Sequence, residues 1–117
     1  MAGCVLRVKK DGFDPNEYLS STSIDGATVV LDGFNLTVSK SDNLSSQIEE
    51  VEKFIEDNGE TLENLTSLIS PDAPEFNFGI WRNSNPVQSV SFPITLISKC
   101  SDLGIELCAS IYEVNDR

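Results

Sequence analysis

The chain has 117 residues, 39% of them hydrophobic and 23% charged, which suits one globular domain and excludes wholesale disorder. Nineteen acidic residues stand against eight basic ones, a formal charge of −11. That balance argues against bare nucleic acid and anionic membranes as partners, because phosphate contacts need Lys and Arg. There is no histidine, which removes Ser-His-Asp and Cys-His catalysis and His-ligated zinc.

Residues 3–9 alternate, with Cys4, Leu6 and Val8 on one face, and predict a half-buried strand. Asp11-Gly12 marks a turn. Asp14-Pro15-Asn16-Glu17 then supplies a cap, a proline at the first helical position and a carboxylate in the first turn of a short helix. Ala27 to Leu31 is apolar and rich in β-branched residues, and Asp32-Gly33 after it signals a hairpin. Phe34, Leu36 and Val38 alternate on the return strand.

Leu44, Ile48, Val51 and Ile55 form an apolar helix stripe. Asn58-Gly59 should stop or kink it, yet Leu62, Leu65, Thr66 and Ile69 keep nearly the same angular phase. The segment reads as two helices or one bent helix, ended by Pro71 and Pro74. Glu75 to Trp81 alternates as a strand, and Val87 to Phe92 reads as a short extended stretch. Pro93 opens a helix through Leu96, Ile97 and Cys100, closed by Gly104. Ile105, Leu107, Ala109 and Ile111 alternate as a last strand. The fold class expected is α/β (α+β): a two-layer sandwich in which helices pack on a mixed sheet of about five strands. The first and last strands, evenly apolar, are expected inside that sheet.

No signal segment and no run of 18 apolar residues is present, so a cytoplasmic address is expected. Without a signal, the Asn-x-Ser/Thr matches at Asn35, Asn43 and Asn64 read as chance. Cys4, Cys100 and Cys108 are an odd number without metal spacing, and read as small buried hydrophobes. Cys4 and Cys108 are expected to face each other on adjacent strands, with no base beside them to activate a thiolate. Asp11, Asp14 and Asn16 suggest a calcium loop, but Thr22 stands where the bidentate Glu belongs, so a turn and helix cap is the better reading. No phosphate-binding or nucleophile-elbow motif occurs.

The sharpest feature is an acidic helix face. Glu49, Glu52, Glu56, Glu60 and Glu63 fall within a sector of about 80° if the helix continues. Lys53 is the one base between Glu49 and Glu63. The face reads either as a solvated surface or as a docking surface for a basic partner. Trp81, by strand parity, shares a face with Asn77 and Gly79, and reads either as buried under a helix or as an interface anchor.

The stretches Phe13–Leu19, Phe76–Ile80, Phe92–Ile97, Leu103–Leu107 and Ser110–Tyr112, in this order, resemble small bacterial domains, some of which look like immunity proteins of polymorphic toxin systems. That resemblance implies a non-enzymatic inhibitor that binds a toxin domain. The leading expectation is therefore an immunity-type inhibitor neutralising a basic toxin domain such as a nuclease, with Glu49, Glu52, Glu56, Glu60, Glu63 and Trp81 as its binding residues and no cofactor. The alternative is a structural or regulatory interaction domain, homodimeric through an open sheet edge. A carboxylate–metal enzyme is the third reading.

Overall fold

The computed structural model describes residues 2–113. Gly3–Lys9 forms β1, Pro15–Ser20 forms α1, Thr28–Val30 forms β2 and Gly33–Ser39 forms β3. Leu44–Ile69 forms α2, Glu75–Trp81 forms β4, Ile94–Leu103 forms α3 and Glu106–Tyr112 forms β5. The sheet order is β2-β3-β1-β4-β5. Pairing is antiparallel except between β4 and β5, which the α3 crossover joins in parallel. The mixed five-stranded sheet with helices packed on it is the α+β sandwich that the residue pattern predicts.

Local chemistry sets the helix ends. The Asp14 carboxylate accepts from the Glu17 amide at 3.1 Å, and Asn43 Oδ1 accepts from the Ser46 amide at 3.1 Å. Gly104 closes α3 in the left-handed conformation at φ 71°. Pro93 is the cap of α3 rather than its first residue. Asn58 kinks α2 without ending it, at φ −129° and ψ 19°. Its side-chain amide donates to the Phe54 carbonyl at 3.0 Å, so that carbonyl stays paired through the bend.

One face of the sheet carries the core. Cys4, Leu6 and Val8 of β1, Phe34 and Leu36 of β3, and Phe76 and Phe78 of β4 are all buried. They meet Val51, Ile55, Leu62, Leu65 and Ile69 of α2 and Leu96 and Cys100 of α3 in one cluster. Thr66 of the predicted stripe is only partly buried, and its hydroxyl donates to the Leu62 carbonyl. Gln47 is fully buried among these apolar groups, and its amide donates to the Ser41 and Gly79 carbonyls at 2.8 and 2.9 Å. The other face is open: Arg7, Lys9, Thr37 and Glu106 are exposed there.

Two expectations need correction. β1 is interior, but β5 is an edge strand. Alternation reports that one face is buried, not how many neighbours a strand has. Cys4 does not face Cys108: Cys4 aligns with Phe78 and Ala109, whereas Cys108 aligns with Asn77 and Val5. β4 lies between their strands, and the one-residue offset turns the two thiols to opposite faces.

The hairpin turn is also displaced. Val30 pairs with Gly33, so Leu31 and Asp32 are the turn residues, and Asp32 takes the positive φ of 58°. Gly33 serves packing instead: a Cβ there would collide with the Val8 carbonyl of β1. Gly33→Ala should therefore lower unfolding free energy by about 3 kcal/mol, because the obstacle is backbone. Gly59→Ala meets nothing within 4 Å in a helix interior and should raise it by about 0.5–1 kcal/mol. Urea denaturation of the two variants checks the opposite signs.

Candidate functional site

The acidic face of α2 survives the kink. Because Asn58 bends the helix without adding or losing a turn, residues on either side keep their phase, as buried Val51, Ile55, Leu62 and Leu65 attest. Glu49, Glu56, Glu60 and Glu63 are exposed, and Glu52 is partly buried. From Glu49 to Glu63 the stripe runs about 21 Å at 1.5 Å per residue.

The stripe divides by its partners. Glu52 Oε2 accepts from the Thr95 hydroxyl at 2.9 Å, and Glu56 lies 3.8 Å from Lys99 Nζ. Thr95 and Lys99 sit one turn apart on the flank of α3 that meets α2. Glu52 and Glu56 thus help to hold α3 against α2. Glu49, Glu60 and Glu63 make no hydrogen bond or ion pair among the described residues. The Lys53–Asp57 pair, at 3.5 Å, borders the stripe: Lys53 stands about 40° around the helix from Glu49 and Asp57 about 80°. Thr95 and Lys99 escape a sequence reading because nothing in α3 alone points to α2.

Trp81 belongs to a different surface. It lies on the open face of the sheet, as strand parity predicts, and its ring meets Tyr112 edge-on with centroids 6.1 Å apart. Tyr112 is its register partner on β5. The Tyr112 ring also covers Gly79: a Cβ there would stand 3.0 Å from Tyr112 Cε2. Trp81 is half-buried under an aromatic neighbour rather than under a helix. The structure therefore groups the five glutamates on the helical layer and leaves Trp81 on the opposite layer. Arg7 and Glu75 pair across β1 and β4 on that same open face at 3.8 Å.

The two buried thiols are chemically quiet. Cys4 and Cys100 are buried, and Cys108 is partly buried. Burial pushes the Cys4 thiol far up, with the neighbouring Cys100 adding to it. Burial likewise pushes Cys100 up to about 11, with Glu52 adding to it. Both stay protonated near neutral pH, the opposite of what a nucleophile or metal ligand needs.

A comparison with protein-family models, curated proteins and solved structures finds no match to this chain.

The buried thiols generate a pH prediction. Their folded values lie above the unfolded value near 8.5, so above pH ~8.5 the native state holds protons that the unfolded state has lost. Stability from these groups is full below that pH and falls as pH rises toward 11, by up to ~1.4 kcal/mol per pH unit per thiol. Denaturant unfolding of wild type and Cys100→Ala from pH 8 to 10.5 measures it. The variant should show the shallower slope.

Proposed function

We propose that this chain is a non-enzymatic inhibitor of the immunity type, which docks a basic toxin domain on the acidic face of α2. The observation that carries this reading is the line of Glu49, Glu56, Glu60 and Glu63, exposed over about 21 Å of one helix. A second support is that three of the five stripe carboxylates have no partner among the described residues, so their charge is available to an incoming cation.

The physics of such a surface is steering. Like-charged carboxylates on one helix face cost the fold little, a few tenths of a kcal/mol per pair. They raise the local concentration of a basic partner and speed association toward ~10⁸–10⁹ M⁻¹s⁻¹ at low salt. On a nuclease domain the stripe would stand in for the phosphates of the nucleic acid and occlude the surface that binds them. Glu52 and Glu56 contribute field while fixing α3. Glu49, Glu60 and Glu63 make the direct contacts.

The division of the stripe decides how to test it. Reversing Glu52 or Glu56 would disturb the contact between α2 and α3, so the informative variant is the triple Glu49→Lys, Glu60→Lys and Glu63→Lys. Immobilised wild-type protein should retain one stoichiometric basic protein from a lysate of its own organism at low salt and release it at high salt. The folded triple variant should associate with that purified protein at least about tenfold more slowly. An unchanged association rate, with circular dichroism confirming the fold, would remove the stripe from the reading.

A further inference from the structure

We infer that the open edge of β5 is a self-association surface whose partner is a second copy of this chain, joined antiparallel about Ala109. The inference does not rest on the acidic docking face, and it uses the other flank of α3.

The edge is unpaired and well formed. The Glu106 amide donates to the Pro74 carbonyl at 2.9 Å, and the Tyr112 carbonyl accepts from the Arg82 amide at 2.7 Å. Even-numbered residues of β5 thus turn their backbone groups toward β4. By the period of two, Leu107, Ala109 and Ile111 turn theirs outward. None of those outward groups has a hydrogen-bond partner among the described residues. The edge spans the full seven residues of β5, and neither proline nor lysine blunts it.

The strand is self-complementary in that register. A two-fold axis at Ala109 sets Leu107 opposite the partner's Ile111, with six backbone hydrogen bonds across three pairs. Those side chains lie on the helix-bearing face. Glu106 falls opposite the partner's Tyr112, so no two carboxylates are set directly against each other. Side chains beside the edge fit the same occupant. Ile97 is 45% exposed and Ile111 46% on the helix-bearing side, and Tyr112 is 42% exposed on the open face. Ile97 stands about 200° around α3 from Thr95, on the flank facing away from α2. These side chains and the seven-residue edge contribute area toward the ~800 Å² that each partner buries in a standard interface.

The acidic stripe lies across α3 from this edge, and salt screens the repulsion between two chains of charge −11. Self-association should therefore strengthen with salt, whereas docking of a basic partner weakens. That opposite sign keeps failure of one proposal distinct from failure of the other.

The test is sedimentation equilibrium of the full chain at low and high salt. The mass should climb toward twice the 12.8 kDa of one chain as concentration rises, and climb further at high salt. Ala109→Pro removes an outward amide that β4 does not use, and Ile97→Lys places charge beside the edge. Each should weaken the dimer at least tenfold while preserving the fold. Ser110→Cys checks the register. The introduced thiol would stand opposite the partner's Cys108 in a pair whose Cα atoms lie about 4.5 Å apart, within disulfide range. Oxidation should yield a covalent dimer. A single-chain mass at every concentration and salt would overturn the inference. So would a dimer that survives both edge variants unweakened, or one that Ser110→Cys fails to cross-link.

Discussion

Every other element depends on the double pairing of β1. The strand sits between β3 and β4, antiparallel to both, and sends Cys4, Leu6 and Val8 into the core with almost no exposure. A slip of one residue against either neighbour would turn all three to the open face. The close approach of Gly33 to the Val8 carbonyl leaves no room for a side chain at that crossing. With β1 fixed, Phe34, Leu36, Phe76 and Phe78 align beside it and make a continuous apolar floor. α2 lies on that floor, and its kink at Asn58 allows Val51 and Ile55 on one side and Leu62, Leu65 and Ile69 on the other to reach the same core.

What was legible in the sequence followed from short-range physics. Asp14 and Asn43 cap helices because a side-chain oxygen can reach an amide three residues on. Gly104 ends α3 because a left-handed residue is needed there. The Asn58-Gly59 pair kinks α2, and the acidic stripe is readable because helical phase is a local property. The strand order was not legible. Ile105, Leu107, Ala109 and Ile111 alternate much as Cys4, Leu6 and Val8 do, yet one strand is at the edge and the other at the centre. Alternation is set by the single helix-covered face, which both strands share, while neighbour number is set by chain-long connections. The error over Cys4 and Cys108 follows from the same gap, since relative parity has meaning only once register is known.

The candidate surfaces show the same limit. Parity placed Trp81 on the face of Asn77 and Gly79, but its companion Tyr112 comes from a parallel neighbour 31 positions away in the chain. The stripe of glutamates was visible in α2, but its division into two carboxylates with partners on α3 and three without comes from Thr95 and Lys99 on another helix. Tertiary packing therefore changed the meaning of the stripe without changing its membership. It also separated Trp81 from it, since helices cover only one side of the sheet.

α3 is where these properties meet. One flank carries Thr95, which donates to Glu52, and Lys99, which pairs with Glu56, and the other carries Ile97 on the side away from α2. A chain with 19 acidic and 8 basic residues would repel its own copy over most of its surface. Along β5 the carboxylate is Glu106, at the end of the strand, and the middle is Leu107, Cys108, Ala109, Ser110 and Ile111. Charge is thus concentrated on one side of α3 and thin on the other. Pairing through β5 would leave both α2 stripes open on the helical layer of the extended sheet. A partner carrying two basic sites at a matching span would then gain by effective concentration rather than by new contacts, and one carrying a single site would bind each copy independently. The two proposed surfaces are therefore compatible in one assembly, because the helix that separates them presents a different chemistry on each flank.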